Sequence, residues 1–161
     1  MTAKGQQQAR TLAKELKAAP IEAIYVSELE RTKQTADIIN QGRDLPIITD
    51  DRLNELRIGF EGQSHEEWKA AKETSERGWT FRVEGAESMA DGQQRTAEFL
   101  SELAGRDYRH VAIVTHGFIV MAIRAIIEGF SLEDEFAQNH DPGLKVPQDK
   151  VIELTLTRDL L

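Results

Sequence analysis

Apolar residues recur at three- and four-residue spacing over the first stretch of the chain, where Ala9, Leu12, Ala13 and Leu16 fall on one side of Thr2 to Ala18. That period predicts an amphipathic helix, with Thr2 as its N-cap and Pro20 just beyond its end. The pattern then changes. Ile21 to Ser27 is rich in β-formers and reads as a short strand bounded by Pro20 and a capping serine. From Leu29 to Asn40 the helical period returns, with Leu29, Ala36 and Ile39 on one face and Gly42 as terminator. Leu45 to Thr49 is a weaker strand that Pro46 confines to a sheet edge or a strand start.

Asp50 to Gly85 is charged and irregular, holds both tryptophans, Trp68 and Trp79, and contains one helix over Ser64 to Ser75. It reads as a loop elaborated over a site. A helix beginning at Ser88 or Asp91 runs to Ala104 and stops at Gly105, and His110 to Thr115 is a nearly continuous apolar run. Such a run predicts a strand buried on both faces. Phe118 to Glu128 is an apolar helix ended by Gly129, and Val151 to Thr157 alternates as a final strand. This order predicts an α/β class fold: a mostly parallel sheet with helices on both faces, in three layers.

A chain of 161 residues fits one domain spanning 1–161, since a chain of this order buries roughly 70% of its unfolded surface in one core. Cysteine is absent, which excludes a disulfide framework, a thiolate zinc site and a cysteine nucleophile. No stretch approaches the roughly 18 apolar residues that span a bilayer, so the expectation is a cytoplasmic protein without a membrane partner. A formal net charge of −8 argues against nucleic acid as a partner, because such binding needs a basic face. Any anion site must therefore be local.

Three constellations offer one. Ile113 to Gly117 delivers His116 to the carboxyl end of a strand, where α/β sheets bind ligands, and Gly117 would let the backbone turn sharply beside a bound group. The plain alternative is a structural histidine. Ser27 to Ala36 places Arg31 in the first turn of a helix, where free N–H groups favour an anion and a guanidinium suits a phosphoryl group. The plain alternative is a surface arginine paired with Glu28 or Glu30. Asp51 to Gly62 carries several carboxylates, one of which could protonate a leaving oxygen. Spacing does not choose between Glu55 and Glu61.

In this order the motifs resemble the histidine phosphatase (phosphoglycerate mutase-like) superfamily. Thr2 to Ala9 looks like its first-helix opening, and Ser27 to Ala36 like its Ser-x-Leu-x-Arg-x-x-Gln-Thr-Ala element. Leu53-Asn54-Glu55 with Gly59 and Glu61-Gly62 is similar to its acid loop, Gly85-Ala86-Glu87-Ser88 to its Gly-Glu-Ser element with one residue inserted, and Val114 to Gly117 to its second histidine motif. The resemblance implies that Arg31, His116 and Gly117 bind a phosphoryl group, that His116 stabilises the transition state, and that Glu55 donates the proton. It implies no metal and no cofactor, and a small phosphorylated metabolite or a phosphoprotein as substrate. The short insert after Glu55 looks more like the small phosphatases than the mutases. Oligomeric state is open, a homodimer included.

Val26 and Met121 depart from the family pattern, which often has Ser and Arg there. The larger departure is at the start. Family members open with a central strand ending in Arg-His-Gly, whose histidine accepts the phosphoryl group, and no such motif occurs here. His65, His110 and His140 are poor substitutes by position. The expectation is a chain impaired in turnover, either a phosphomonoesterase shortened or given a mis-set start, with a further segment before Met1, or a divergent pseudophosphatase that is a phosphate-ligand-binding or interaction module.

Overall fold

The computed structural model describes residues 1–59, 78–134, 146–147 and 149–157. Helix α1 is Ala3–Glu15, capped by the Thr2 side chain accepting from the Gly5 amide, and continues as a short 3-10 turn over Leu16–Ala18. Strand β1 is Ala23–Val26, α2 is Glu30–Asn40 and β2 is Ile47–Thr49. Helix α3, Met89–Ala104, begins at Ser88 with a reciprocal capping box to Asp91 and ends at Gly105. Strand β3 is Val111–Val114 and α4 is Gly117–Glu128, stopped by Gly129 in the left-handed conformation. None of the described helices is long and apolar enough to cross a membrane.

The three strands form a parallel sheet in the order β2-β1-β3, with Ile24 opposite Ile47 and Ala112, and Val26 opposite Thr49 and Val114. Because side chains alternate across a pleat, β1 feeds two cores. Ala23 and Tyr25 pack with Phe99, Leu100, Phe118 and Ile119 of α3 and α4, while Ile24 and Val26 pack with Ala36 and Ile39 of α2 and with Leu12 and Leu16. All four β1 residues are buried, as a central strand covered on both faces requires.

Strand β3 differs from its expectation, since all four of its residues are only half-buried. Among the described residues β3 pairs with β1 alone, so its far side lacks the neighbour that would finish covering it. The expected strand at Val151 to Thr157 is also corrected, because these residues join no ladder. The alternation behind that expectation is present, with Leu154 and Leu156 packed on the core and Glu153, Thr155 and Thr157 exposed. Alternation orients side chains, but a strand needs a hydrogen-bonding neighbour. Ser64 to Ser75, with His65 and Trp68, lies outside the described residues, as do Glu61, Gly62 and His140.

Parallel pairing places the carboxyl ends of all three strands at one edge. Ser27 N–H donates to Val114 O at 3.3 Å and Asp50 N–H to Val26 O at 2.9 Å, so the residues after β1, β2 and β3 emerge together there.

Candidate active site

His116 leaves β3 as the N-cap of α4 and is 6% exposed. Its two ring nitrogens have different partners. Nε2 lies 2.8 Å from Oγ of Ser27, which is fully buried, and Nδ1 lies 2.9 Å from Nη2 of the exposed Arg31. Ser27 Oγ also lies 2.7 Å from Oγ1 of Thr32 and accepts from the Leu29 amide at 3.3 Å, and Thr32 Oγ1 donates to Leu29 O at 2.6 Å. Ser27 is therefore not the helix cap expected from the sequence. The N-cap position of α2 is Leu29, and the serine hydroxyl is turned to the histidine.

Arg31 is the second residue of α2, as expected. Its expected alternatives are taken elsewhere, since Glu28 accepts from Asn54 Nδ2 at 2.9 Å and Glu30 from Gln34 Nε2 at 2.8 Å. Burial, then the charges of Arg31 and Arg95, push the His116 pKa down to about 4, so the imidazole is neutral near pH 7.

Gly117 needs a different account from the sharp turn expected of it. Its φ is not positive, and a Cβ placed there would meet nothing within 4 Å. The absent side chain leaves open the approach to the first turn of α4, where backbone N–H groups lack intrahelical partners.

Glu55 lies in a segment that is tied down on both sides of it. Thr115 Oγ1, adjacent to His116, donates to Leu53 O at 2.6 Å, and the Glu28 amide donates to Asn54 Oδ1 at 2.9 Å. Leu53 is fully buried. Arg95 of α3 donates through Nη1 to Arg52 O and pairs with Glu87 at 2.8 Å through Nε. Glu87 in turn accepts from the Arg57 amide at 3.0 Å, and its own amide donates to Arg57 O at 2.7 Å. One ion pair thus grips the segment at Arg52 and at Arg57. The Glu55 carboxylate caps its neighbour, accepting from the Leu56 amide at 3.1 Å.

These ties hold the loop of Glu55 to Glu28 and Thr115, the residues that adjoin Ser27 and His116 in the chain. Thr32 and Arg95 carry much of the arrangement and were not singled out in the sequence. Glu87 precedes α3 and Arg95 lies eight residues further on, within it, so the pair falls outside the three- and four-residue helical spacing by which a sequence flags opposite charges. His110 is exposed and precedes β3, at the opposite end from His116.

A family model described as "Histidine phosphatase superfamily (branch 1)" matches residues 1–144. "Phosphoserine phosphatase 1" of Hydrogenobacter thermophilus is 30% identical over 82% of this chain and 66% of its own length. "Probable phosphoglycerate mutase GpmB" of Proteus mirabilis is 32% identical over 80% of this chain and 63% of its own. The chain thus spans about two thirds of the length of these two curated relatives and about half that of others. Among solved structures, YhfR of Bacillus stearothermophilus superposes with a TM-score of 0.73 at 30% identity, covering 89% of this chain and 75% of that one.

Proposed function

The chain belongs to the histidine phosphatase superfamily, branch 1, and on that premise we propose that Arg31, His116 and the first turn of α4 bind the phosphoryl group of a phosphomonoester. The observation that carries this reading is the 2.9 Å contact between Arg31 and Nδ1 of His116 at adjoining helix N-termini. An arginine beside a neutral histidine, with no carboxylate pairing it among the described residues, is poised for an anion.

The reaction is phosphomonoester hydrolysis through a phosphohistidine. A histidine nitrogen bonds to phosphorus as the bond to the leaving oxygen breaks, and the Glu55 carboxyl gives that oxygen its proton. Water then attacks phosphorus, the P–N bond breaks, and Glu55 takes back a proton. Arg31, His116 and the α4 amides offset the charge on the equatorial oxygens, and no step calls on a metal. The substrate is a small phosphorylated metabolite or a phosphoprotein, and hydrolysis is favoured over mutase chemistry by the short insert after Glu55.

His116 is engaged at both nitrogens and acts here as ligand and stabiliser, so the nucleophile is a second imidazole. Among the described residues none stands beside it, which favours a second reading: the chain by itself binds phosphate without turnover. The test is hydrolysis of an aryl phosphate together with binding of inorganic phosphate, by the chain and by Arg31→Ala and His116→Ala. Phosphate binding lost in both variants supports the site, and turnover decides between enzyme and binder. Phosphate binding unaffected by either variant would sink both readings.

A further inference from the structure

The hydrogen bonds around His116 have only one consistent set of directions. Arginine donates and never accepts, so Nδ1 of His116 is the acceptor of its 2.9 Å bond to Arg31 and carries no proton. The proton of the neutral ring is then on Nε2, which donates to Ser27 Oγ at 2.8 Å. Ser27 Oγ also accepts the Leu29 amide and passes its own hydrogen to Thr32 Oγ1, which donates to Leu29 O. Every hydrogen is accounted for, and Ser27 and Thr32 are both buried.

We propose that Ser27, backed by Thr32, is a positioning residue that fixes which nitrogen of His116 meets the phosphoryl group and in which form: Nε2–H inward, Nδ1 outward without its proton. This rests on the phosphoryl reading of the site. A bare Nδ1 and an oxygen of a phosphate dianion are both acceptors and cannot bond directly, so when Arg31 turns to the anion one proton must enter between them. It is taken from solvent and shared by Nδ1 and the phosphoryl oxygen. The charged groups acting on the ring are Arg31 from α2 and Arg95 from α3, and both favour the anion over the imidazolium, which places the shared proton toward the oxygen. With Ser27 removed, the ring is free to adopt the Nδ1–H tautomer, which donates to the dianion with no proton taken up.

The experiment is ¹⁵N NMR of the imidazoles in the whole chain, followed by titration with inorganic phosphate at several pH values where phosphate is the dianion. The expected result is an Nε2–H tautomer for His116 in the free protein and an affinity that falls about tenfold per pH unit, the slope of one proton taken up. Arg31→Ala should keep the Nε2–H tautomer through Ser27 and Ser27→Ala/Arg31→Ala should mix the tautomers, while Ser27→Ala alone, in which Arg31 still donates to Nδ1 of the free protein, should flatten the slope and Thr32→Ser, which keeps the hydroxyl relay, should preserve it. An Nδ1–H tautomer in the unaltered protein or in Arg31→Ala, or a Ser27→Ala variant with the slope unchanged, would overturn the proposal. Because the free-protein tautomer is read without ligand, a correct tautomer with no phosphate binding would overturn the phosphoryl reading alone and leave the Ser27 lock standing.

Discussion

Removing Arg95 should weaken the fold as well as the candidate site. Its guanidinium pairs with Glu87 through Nε at 2.8 Å and Nη2 at 3.2 Å and also holds Arg52 O. The two side chains are only 15% and 17% exposed, so water replaces little of what is lost. Arg95→Met leaves the Glu87 carboxylate half-desolvated with the Arg57 amide as its main donor. Deleting one partner of a buried pair costs about 3–5 kcal/mol, and the residual exposure lowers this to about 2–4 kcal/mol. For a chain of this size that is a fall in Tm of about 5–15 °C. Glu87→Gln should cost less, about 1–2 kcal/mol, because it keeps shape and an acceptor.

The double variant Arg95→Met/Glu87→Gln should recover part of the loss, since no charge is left unpaired. Thermal unfolding of the four proteins measures this, and amide exchange should accelerate at Arg57 in each single variant. The sign with pH is also fixed. Burial alone would raise the Glu87 pKa, but the Arg95 hydrogen bond, the Arg57 amide and both charges bring it below the usual carboxylate range. The pair therefore stabilises at neutral pH and fades as acid protonates Glu87. Additive single effects, or a Tm change in Arg95→Met within about 1 °C, would refute the clamp.

Further predictions concern the ring and the packing around it. With its pKa at about 4 in the fold and about 6.5 unfolded, His116 favours folding at neutral pH and withdraws that support as pH falls through the interval between, by up to about 3 kcal/mol. His116→Gln should therefore flatten the pH dependence of stability there, as denaturant melts across that range will show. A Cβ on Gly92 of α3 would lie 2.6 Å from Leu56 Cδ1 and 2.8 Å from Phe118 Cε1. Overpacking at about 1–3 kcal/mol should outweigh the helix gain of about 1 kcal/mol, so Gly92→Ala should lower Tm, and a raised Tm would count against the close approach of α3 to the acid loop.

Where local chemistry decides, the sequence was legible. Thr2 and Ser88 cap their helices, Gly129 ends α4 left-handed, Pro46 precedes an edge strand, and Arg31 stands in the first turn of α2. Each depends on a few consecutive residues and on backbone groups they can reach. The misreadings share the opposite property. Ser27 passed as a cap because its partner, His116, is 89 positions away. Gly117 suggested a tight turn because glycine permits one, whereas only the surrounding space shows that none is made. Val151 to Thr157 alternates as a strand must, yet joins no ladder.

The sequence by itself determined the α/β order, the strand-end positions of His116 and Arg31, and a family-like set of motifs. It did so because periodicity, capping and punctuation act over one or two turns of chain. Tertiary structure alone decided that Arg31 meets His116 rather than Glu28 or Glu30, that the histidine proton faces Ser27, and that an ion pair from α3 grips the segment bearing Glu55. Those outcomes depend on parallel register, which sets the ends of β1 and β3 side by side, and on burial, which makes every polar group there find a partner. Neither is a property of any short stretch of sequence.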